Sequence, residues 1–209
     1  MKLFKRTKQD VGAEQAAVPG MEDVVQRLLA YIGEDPNREG LRETPIRFLK
    51  AWKEWASGYA QNPAEILKTF VDGSEKYDEF VFQGSIPFFS HCEHHCAPFF
   101  GVAHIGYIPN GRVVGLSKLA RLLDVFARRL QVQERISVNV VDALMEHLRP
   151  LGAGVVLQAR HLCMESRGIQ KIGTITTTSA LRGVVKDEPE VRAEFMSFVS
   201  NSSQGVRGV

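Results

Sequence analysis

Residues 79–108 read EFVFQGSIPFFSHCEHHCAPFFGVAHIGYI. The two ends of this stretch, 79–90 and 98–108, are dense in aromatic and branched side chains and read as strands. Asn110-Gly111 then marks a turn. Residues 117–130 return to helical period, with Leu119, Leu122, Leu123, Phe126 and Leu130 on one face. Residues 134–148 do the same with Ile136, Val140, Leu144 and Leu148, and Pro150 ends that helix. Two more strands are expected, at 154–163 and in the Thr-rich stretch 172–179. Two strands, two helices and two strands describe an α+β chain, an antiparallel sheet packed on helices.

Upstream of this region the pattern is helical. Val24, Val25, Leu28, Leu29 and Ile32 recur at helical spacing over 21–32. A second helix is expected from Thr44 as N-cap, with Pro45 in the first turn, through Phe48, Leu49, Trp52 and Trp55 to a stop near Gly58. The two Trp residues read as core or interface packing. Asn62-Pro63 opens a further short helix. The expected organisation is a mobile tail over 1–20, a helical region over 21–75, a catalytic region over 76–200 and a tail over 201–209.

The bulk composition narrows the function classes. The chain has 209 residues, 44% hydrophobic and 24% charged, which is ordinary for a soluble globular protein. No apolar run is long enough to span a bilayer, so no membrane partner is expected. The net charge of +2 gives no argument for nucleic acid. The basic start, MKLFKRTKQD, has no apolar core behind it and does not read as a secretory signal, so the expected location is cytoplasmic. The three cysteines, Cys92, Cys96 and Cys163, each lie close to a histidine. That pattern favours metal or redox chemistry in a reducing compartment over a disulfide framework.

The densest run of metal-ligating residue types is Ser90-His91-Cys92-Glu93-His94-His95-Cys96, and a second cluster is His161-Leu162-Cys163. On a strand, His161 and Cys163 would share a face. Catalytic zinc commonly has three protein ligands and one water. One or two ligands from the first cluster plus Cys163 would supply such a set. A closed structural site, or cysteines packed as small apolar residues, is the competing reading.

Three further positions carry charge where a bland helix would not need it. Ser117 reads as the N-cap of its helix, and Lys118 and Arg121 neighbour each other on the first turn, where the macrodipole disfavours cations. An anion docked at that helix start would account for them; a solvated basic face is the alternative. In Gln131-Val132-Gln133-Glu134-Arg135, the Glu134 carboxylate either offsets the helix dipole or accepts two hydrogen bonds from a guanine edge. Arg167 is a candidate anion contact or a surface arginine.

In their order and spacing these strings resemble the GTP cyclohydrolase I family. The matching segments are Cys92-Glu93-His94-His95 with Pro98-Phe99, Tyr107-Ile108-Pro109, Gly115-Leu116-Ser117-Lys118, Gln131-Val132-Gln133-Glu134-Arg135, His161-x-Cys163 with Arg167-Gly168, and Thr44-Pro45-x-Arg47. The resemblance covers roughly residues 21–199. It implies the tunnelling fold, in which a small antiparallel sheet and helices close into a barrel only by oligomerisation, usually as a homodecamer of two stacked five-membered rings. It implies zinc on Cys92, His95 and Cys163, and proton transfer by His94 and His161. It implies a guanine pocket at Gln133 and Glu134, with Ser117 at the ribose and phosphate end and triphosphate contacts at Lys118, Arg121, Arg167 and Arg47. The implied reaction is hydrolytic opening of the GTP imidazole ring by zinc-bound water, giving 7,8-dihydroneopterin triphosphate and formate, the first step of folate and tetrahydropterin synthesis.

Cys96 departs from the implied ligand set. By spacing alone it competes with His95, since 92 and 96 can also share a helical face. Some animal relatives answer to a separate feedback protein, and nothing in this sequence signals that partner. Two rival readings remain: a zinc nucleobase deaminase, which would carry a Pro-Cys-x-x-Cys string absent here, and a non-catalytic or differently specific zinc protein of the same fold.

Overall fold

The structure is a computed structural model and describes residues 20–70 and 76–203. The expected tail over 1–20 lies, except for Gly20, outside the described residues, as does 204–209 of the expected C-terminal tail. The chain forms two compact units that part between Gln61 and Asn62.

The first unit holds α1 (Met21–Tyr31) and α2 (Thr44–Trp55). Thr44 is not the cap of α2 but its first residue; Glu43 precedes it in near-helical backbone and gives no side-chain cap. The chain enters α2 straight from a 3-10 turn at Glu39–Leu41, and the Glu43 carboxylate pairs with Arg47 instead. Trp52 and Trp55 meet edge to face at 5.5 Å, and a 3-10 turn at Ser57–Ala60 follows where a stop near Gly58 is expected.

The second unit is built on a five-stranded sheet. Its order is β5-β2-β3-β6-β7, with β2 Val81–Cys92, β3 Pro98–Ile108, β5 Leu130–Gln131, β6 Gly152–His161 and β7 Ile175–Gly183. All pairings are antiparallel except β2 with β5, which runs parallel and joins only His91–Leu130 and Cys92–Gln131. A two-residue pair, β1 (Thr69–Phe70) with β4 (Val113–Val114), lies apart from it. Because β5 is so short, most of β2 has an open outer side. That is where Pro87 sits, a residue without an N–H to give to a neighbouring strand.

The helices cover the sheet as the sequence period demands. In α4 (Leu116–Ala127), Leu119, Leu122, Leu123 and Phe126 are buried; in α5 (Gln133–His147) so are Ile136, Val140 and Leu144, with Leu148 just beyond. Each such side chain contributes about 1.5–3 kcal/mol of hydrophobic stabilisation. Leu130, expected on the α4 face, leaves the helix and enters β5. The short α3 (Pro63–Ile66) is capped by Asn62, whose side chain accepts from the Ala64 N–H at 3.1 Å, and it packs against α4 and α5 in this unit. After β7 a single turn, α7 (Val184–Asp187), leads into α8 (Pro189–Ser203), of which the sequence pattern gave no hint. This last helix buries Phe195 and Val199 against Phe80, Val156 and Val185, a second core distinct from that under α4 and α5.

One buried titratable group belongs to this framework. His104 on β3 is fully buried, accepts from the Ser85 N–H at 3.4 Å and hydrogen-bonds the Gln158 side chain. Burial lowers its pKa, and Gln158 opposes the shift. Below about pH 6.5 the unfolded chain therefore binds a proton that the folded chain resists. The stability this group contributes is complete above that pH and is lost as pH falls through the lowered folded value. Thermal melting should show the gap between the wild type and His104→Gln narrowing from about pH 7.5 to about pH 5; a constant gap would remove His104 from the pH response.

Candidate metal centre and active site

The site is assembled where three strands end. Cys92 is the last residue of β2, and its N–H donates to the Ala97 carbonyl at 2.8 Å, closing a tight loop into β3. Within the loop the Cys96 N–H donates back to the Cys92 carbonyl at 2.8 Å. Cys96 takes a left-handed conformation, φ 52°, and its side chain is exposed.

Cys163 arrives by a different route from the one the sequence suggests. β6 stops at His161, where its pairing with Phe99 ends, and residues Leu162–Glu165 turn at once into a single helical turn, α6. His161 and Cys163 are therefore not two positions on one strand face. The turn is held by Arg160, which grips the buried Glu165 carboxylate with two hydrogen bonds, at 2.9 and 2.6 Å. That guanidinium holds the Glu165 carboxyl below the usual carboxylate range.

This turn brings the Cys163 thiol to Cys92 and His95. Their ligand atoms all lie within 4.8 Å of one another, and Cys92 Sγ is 3.8 Å from His95 Nδ1. Two ligands at ordinary zinc–sulfur and zinc–nitrogen distances span roughly 3.6 Å across a tetrahedron, so the spacing suits one metal ion. Two thiols and an imidazole are also a donor set that zinc accepts, and three protein ligands leave a fourth position for water. Burial pushes the Cys163 thiol up and the adjacent Cys92 adds to this, against the pull of its own backbone and of Arg167. His94 Nδ1 lies 3.9 Å from Cys92 Sγ, yet neither His94 nor Cys96 joins the three-residue group.

His161 is the last residue of β6, two positions before Cys163. Its ring stacks face-on upon Phe99, its cross-strand partner, with centroids 4.6 Å apart and planes 6° from parallel. Burial lowers its pKa, and the charge of Glu134 opposes that. Its Nε2 is 2.7 Å from Gln133 Oε1. The Gln133 amide nitrogen faces the carbonyls of Leu157 and Thr176, at 3.1 and 3.0 Å, and Thr178 Oγ1. Two carbonyls can only accept, so the amide oxygen must face the histidine and Nε2 must be the donor. Gln133, expected at a substrate, is buried with both ends of its amide engaged inside the chain. What it touches is His161.

The other expected site residues are more dispersed. The N-cap of α4 is Gly115 and not Ser117, because the chain leaves β4 extended and Leu116 already begins the helix. Ser117 and Arg121 are exposed, Lys118 is half-buried, and among the described residues neither cation enters an ion pair. Glu134 is exposed on the first turn of α5, and Arg167 is exposed just beyond α6. Arg47 belongs to the N-terminal unit, where it pairs with Glu43.

Residues 21–200 match the family model for GTP cyclohydrolase I. The chain belongs to the GTP cyclohydrolase I family. A GTP cyclohydrolase 1 of Janthinobacterium sp. (strain Marseille) is 59% identical over 171 residues, covering 82% of this chain and 86% of that protein. One from Nitrosospira multiformis is 57% identical over 176 residues, 84% of this chain and 92% of that protein. One from Campylobacter jejuni (strain RM1221) is 51% identical over 183 residues, 88% and 96% of the two chains. The sheet with helices on it agrees with the α+β, tunnelling-fold class of this family. No helix among the described residues is long and apolar enough to cross a membrane.

Sequence reasoning missed two features of this GTP cyclohydrolase I site. One is the stacking of Phe99 on His161, which is visible only once β3 and β6 are in register. The other is a bidentate ion pair between Glu93 and Arg135, at 2.5 and 3.1 Å. These residues are far apart in the chain, and no local spacing signals the contact.

Proposed function

We propose that this GTP cyclohydrolase I family member is a zinc-dependent enzyme that opens the imidazole ring of GTP, giving 7,8-dihydroneopterin triphosphate and formate. The observation that carries the reading is the convergence of Cys92, His95 and Cys163 beside His161 in a chain of this family. Zinc held by those three residues would act as a Lewis acid and lower the pKa of a bound water to about 7, making a water nucleophile available near neutral pH.

The chain's own groups do the rest. His161 exchanges a proton with ring nitrogen 7 of the purine as carbon 8 is hydrolysed. Its ring is already fixed by Phe99 and by Gln133, so its position does not depend on the substrate. Gln133 thus serves the guanine site through His161. His94, exposed on the ligand loop, carries the proton transfers needed when the ribose opens, rearranges and recloses as a pterin. Ser117, Lys118, Arg121 and Arg167 take the ribose and triphosphate, while Arg47, which the family resemblance adds to the triphosphate contacts, belongs to the N-terminal unit. For Lys118 and Arg121 the support is their position at the positive end of α4 without an internal counter-ion.

The same reading makes the protein a homo-oligomer, a decamer of two stacked five-membered rings, working in the cytoplasm, where three unpaired cysteines stay reduced. Its support is the pair of open sheet edges: β7 ends the sheet with Ile175 exposed, and β2 meets β5 over two residues only. Residues 76–200 carry the catalysis.

Glu134 sets the base preference. Its carboxylate accepts from the ring N–H and amino group of guanine, whereas adenine presents a ring acceptor there. An unmatched buried polar group costs about 1–3 kcal/mol, so GTP should be preferred over ATP by at least about tenfold. Formate release and pterin fluorescence, measured with each nucleotide, check this. Glu134→Gln should erode GTP turnover while leaving thermal melting unchanged. Equal turnover of ATP and GTP by the wild type would contradict the assignment.

A further inference from the structure

The ligand loop is attached to the rest of the chain at few points. Its main-chain bonds run mostly within itself, from Cys92 to Ala97 and from His95 and Cys96 to Cys92, with one outward bond from the Glu93 N–H to the Gln131 carbonyl at 3.0 Å. His94, His95 and Cys96 are all exposed. Among the described residues, Glu93 is the only side chain of 93–96 with a hydrogen bond or ion pair reaching beyond residues 92–96. Its partner Arg135 stands on the first turn of α5 and also donates to Gln131 Oε1 at 3.3 Å. Arg135 therefore holds the loop through Glu93 and the neighbouring strand β5 through Gln131.

We propose that the Glu93–Arg135 pair is a positioning clamp for the metal site: by fixing the loop between Cys92 and His95 to α5, it sets how tightly the chain holds zinc. Neither residue is a ligand. The inference rests on the metal reading given above and concerns what orients two of its ligands. A planar guanidinium meeting a carboxylate through two bonds defines an orientation as well as a separation, which a single charge contact does not. The pair is partly exposed, side chains 47% and 31% accessible, so its own contribution to folding is small. Its effect falls on the loop, where misplacing one ligand weakens the coordination of all three.

The test measures zinc affinity of the purified full-length chain by competition with a chromophoric chelator, and thermal melting of the zinc-free form. Glu93→Gln and Arg135→Lys should each weaken zinc binding by about 10–100-fold, the range found when partners behind metal ligands are removed. The zinc-free melting temperature should stay at the wild-type value. The exchanged pair, Glu93→Arg with Arg135→Glu, should recover most of the affinity. Wild-type zinc affinity in both single variants would overturn the clamp, and so would a loss of affinity matched by a lower zinc-free melting temperature, which marks a general structural role. A wild-type chain that binds no zinc would overturn the metal reading itself, a result distinct from either.

Discussion

Cys163→Ser is expected to lose bound zinc and ring opening together, with kcat/KM falling by at least about a thousandfold. The Cys163 thiol is brought to the group by α6 alone, and its ligand atom lies within 4.8 Å of those of Cys92 and His95. Removing it leaves two ligands on one loop, too few for a catalytic site of three protein ligands and a water. The activity then lost is that of water whose pKa a bound zinc would lower to about 7, a change of many decades in available nucleophile. The fold should persist, because Cys163 lies at the edge of the core and α6 is anchored separately by Arg160 and Glu165. Zinc analysis and formate release on the same preparation check the result. Full zinc content with full activity would show that Cys163 is not a ligand.

His161→Ala is expected to separate what Cys163→Ser loses together. Zinc should remain at the wild-type level, while kcat falls by about 10²–10⁴-fold, the usual range for a positioned proton-transfer group. The ring is removed from between Phe99 and Gln133, neither of which belongs to the metal group. The readout is zinc content beside single-turnover ring opening of GTP. Loss of zinc in this variant would mean that His161 supports the metal and not the proton transfer.

Much of this was legible in the sequence because it rests on local periodicity. The apolar faces of α4 and α5 and the two strands around Ser90–Cys96 follow from spacing that any chain of this composition would obey. Errors came where tertiary contacts decide. β6 stops at His161 because its pairing ends there, so Cys163 reaches the metal group from a helical turn and not from a strand face. The resemblance implies Gln133 in a guanine pocket, but its burial, with its amide nitrogen on Leu157, Thr176 and Thr178 and its amide oxygen on His161, depends on contacts that no local spacing shows. The helix α8 escaped because its apolar residues Phe195, Phe198 and Val199 are few among polar ones, and their burial depends on Phe80 and Phe82 more than a hundred residues away. The Glu93–Arg135 contact has no local signature at all.

The choice between His95 and Cys96 as third ligand is the point on which the account stands most directly. Spacing permits either, and the geometry favours His95, which joins the group with Cys92 and Cys163, its Nδ1 3.8 Å from Cys92 Sγ, while Cys96 stays outside that group. Bound zinc per chain, measured in the wild type, His95→Ala and Cys96→Ser, decides between them. The account predicts about one zinc per chain in the wild type and in Cys96→Ser, and little in His95→Ala. Zinc kept by His95→Ala and lost by Cys96→Ser would contradict it.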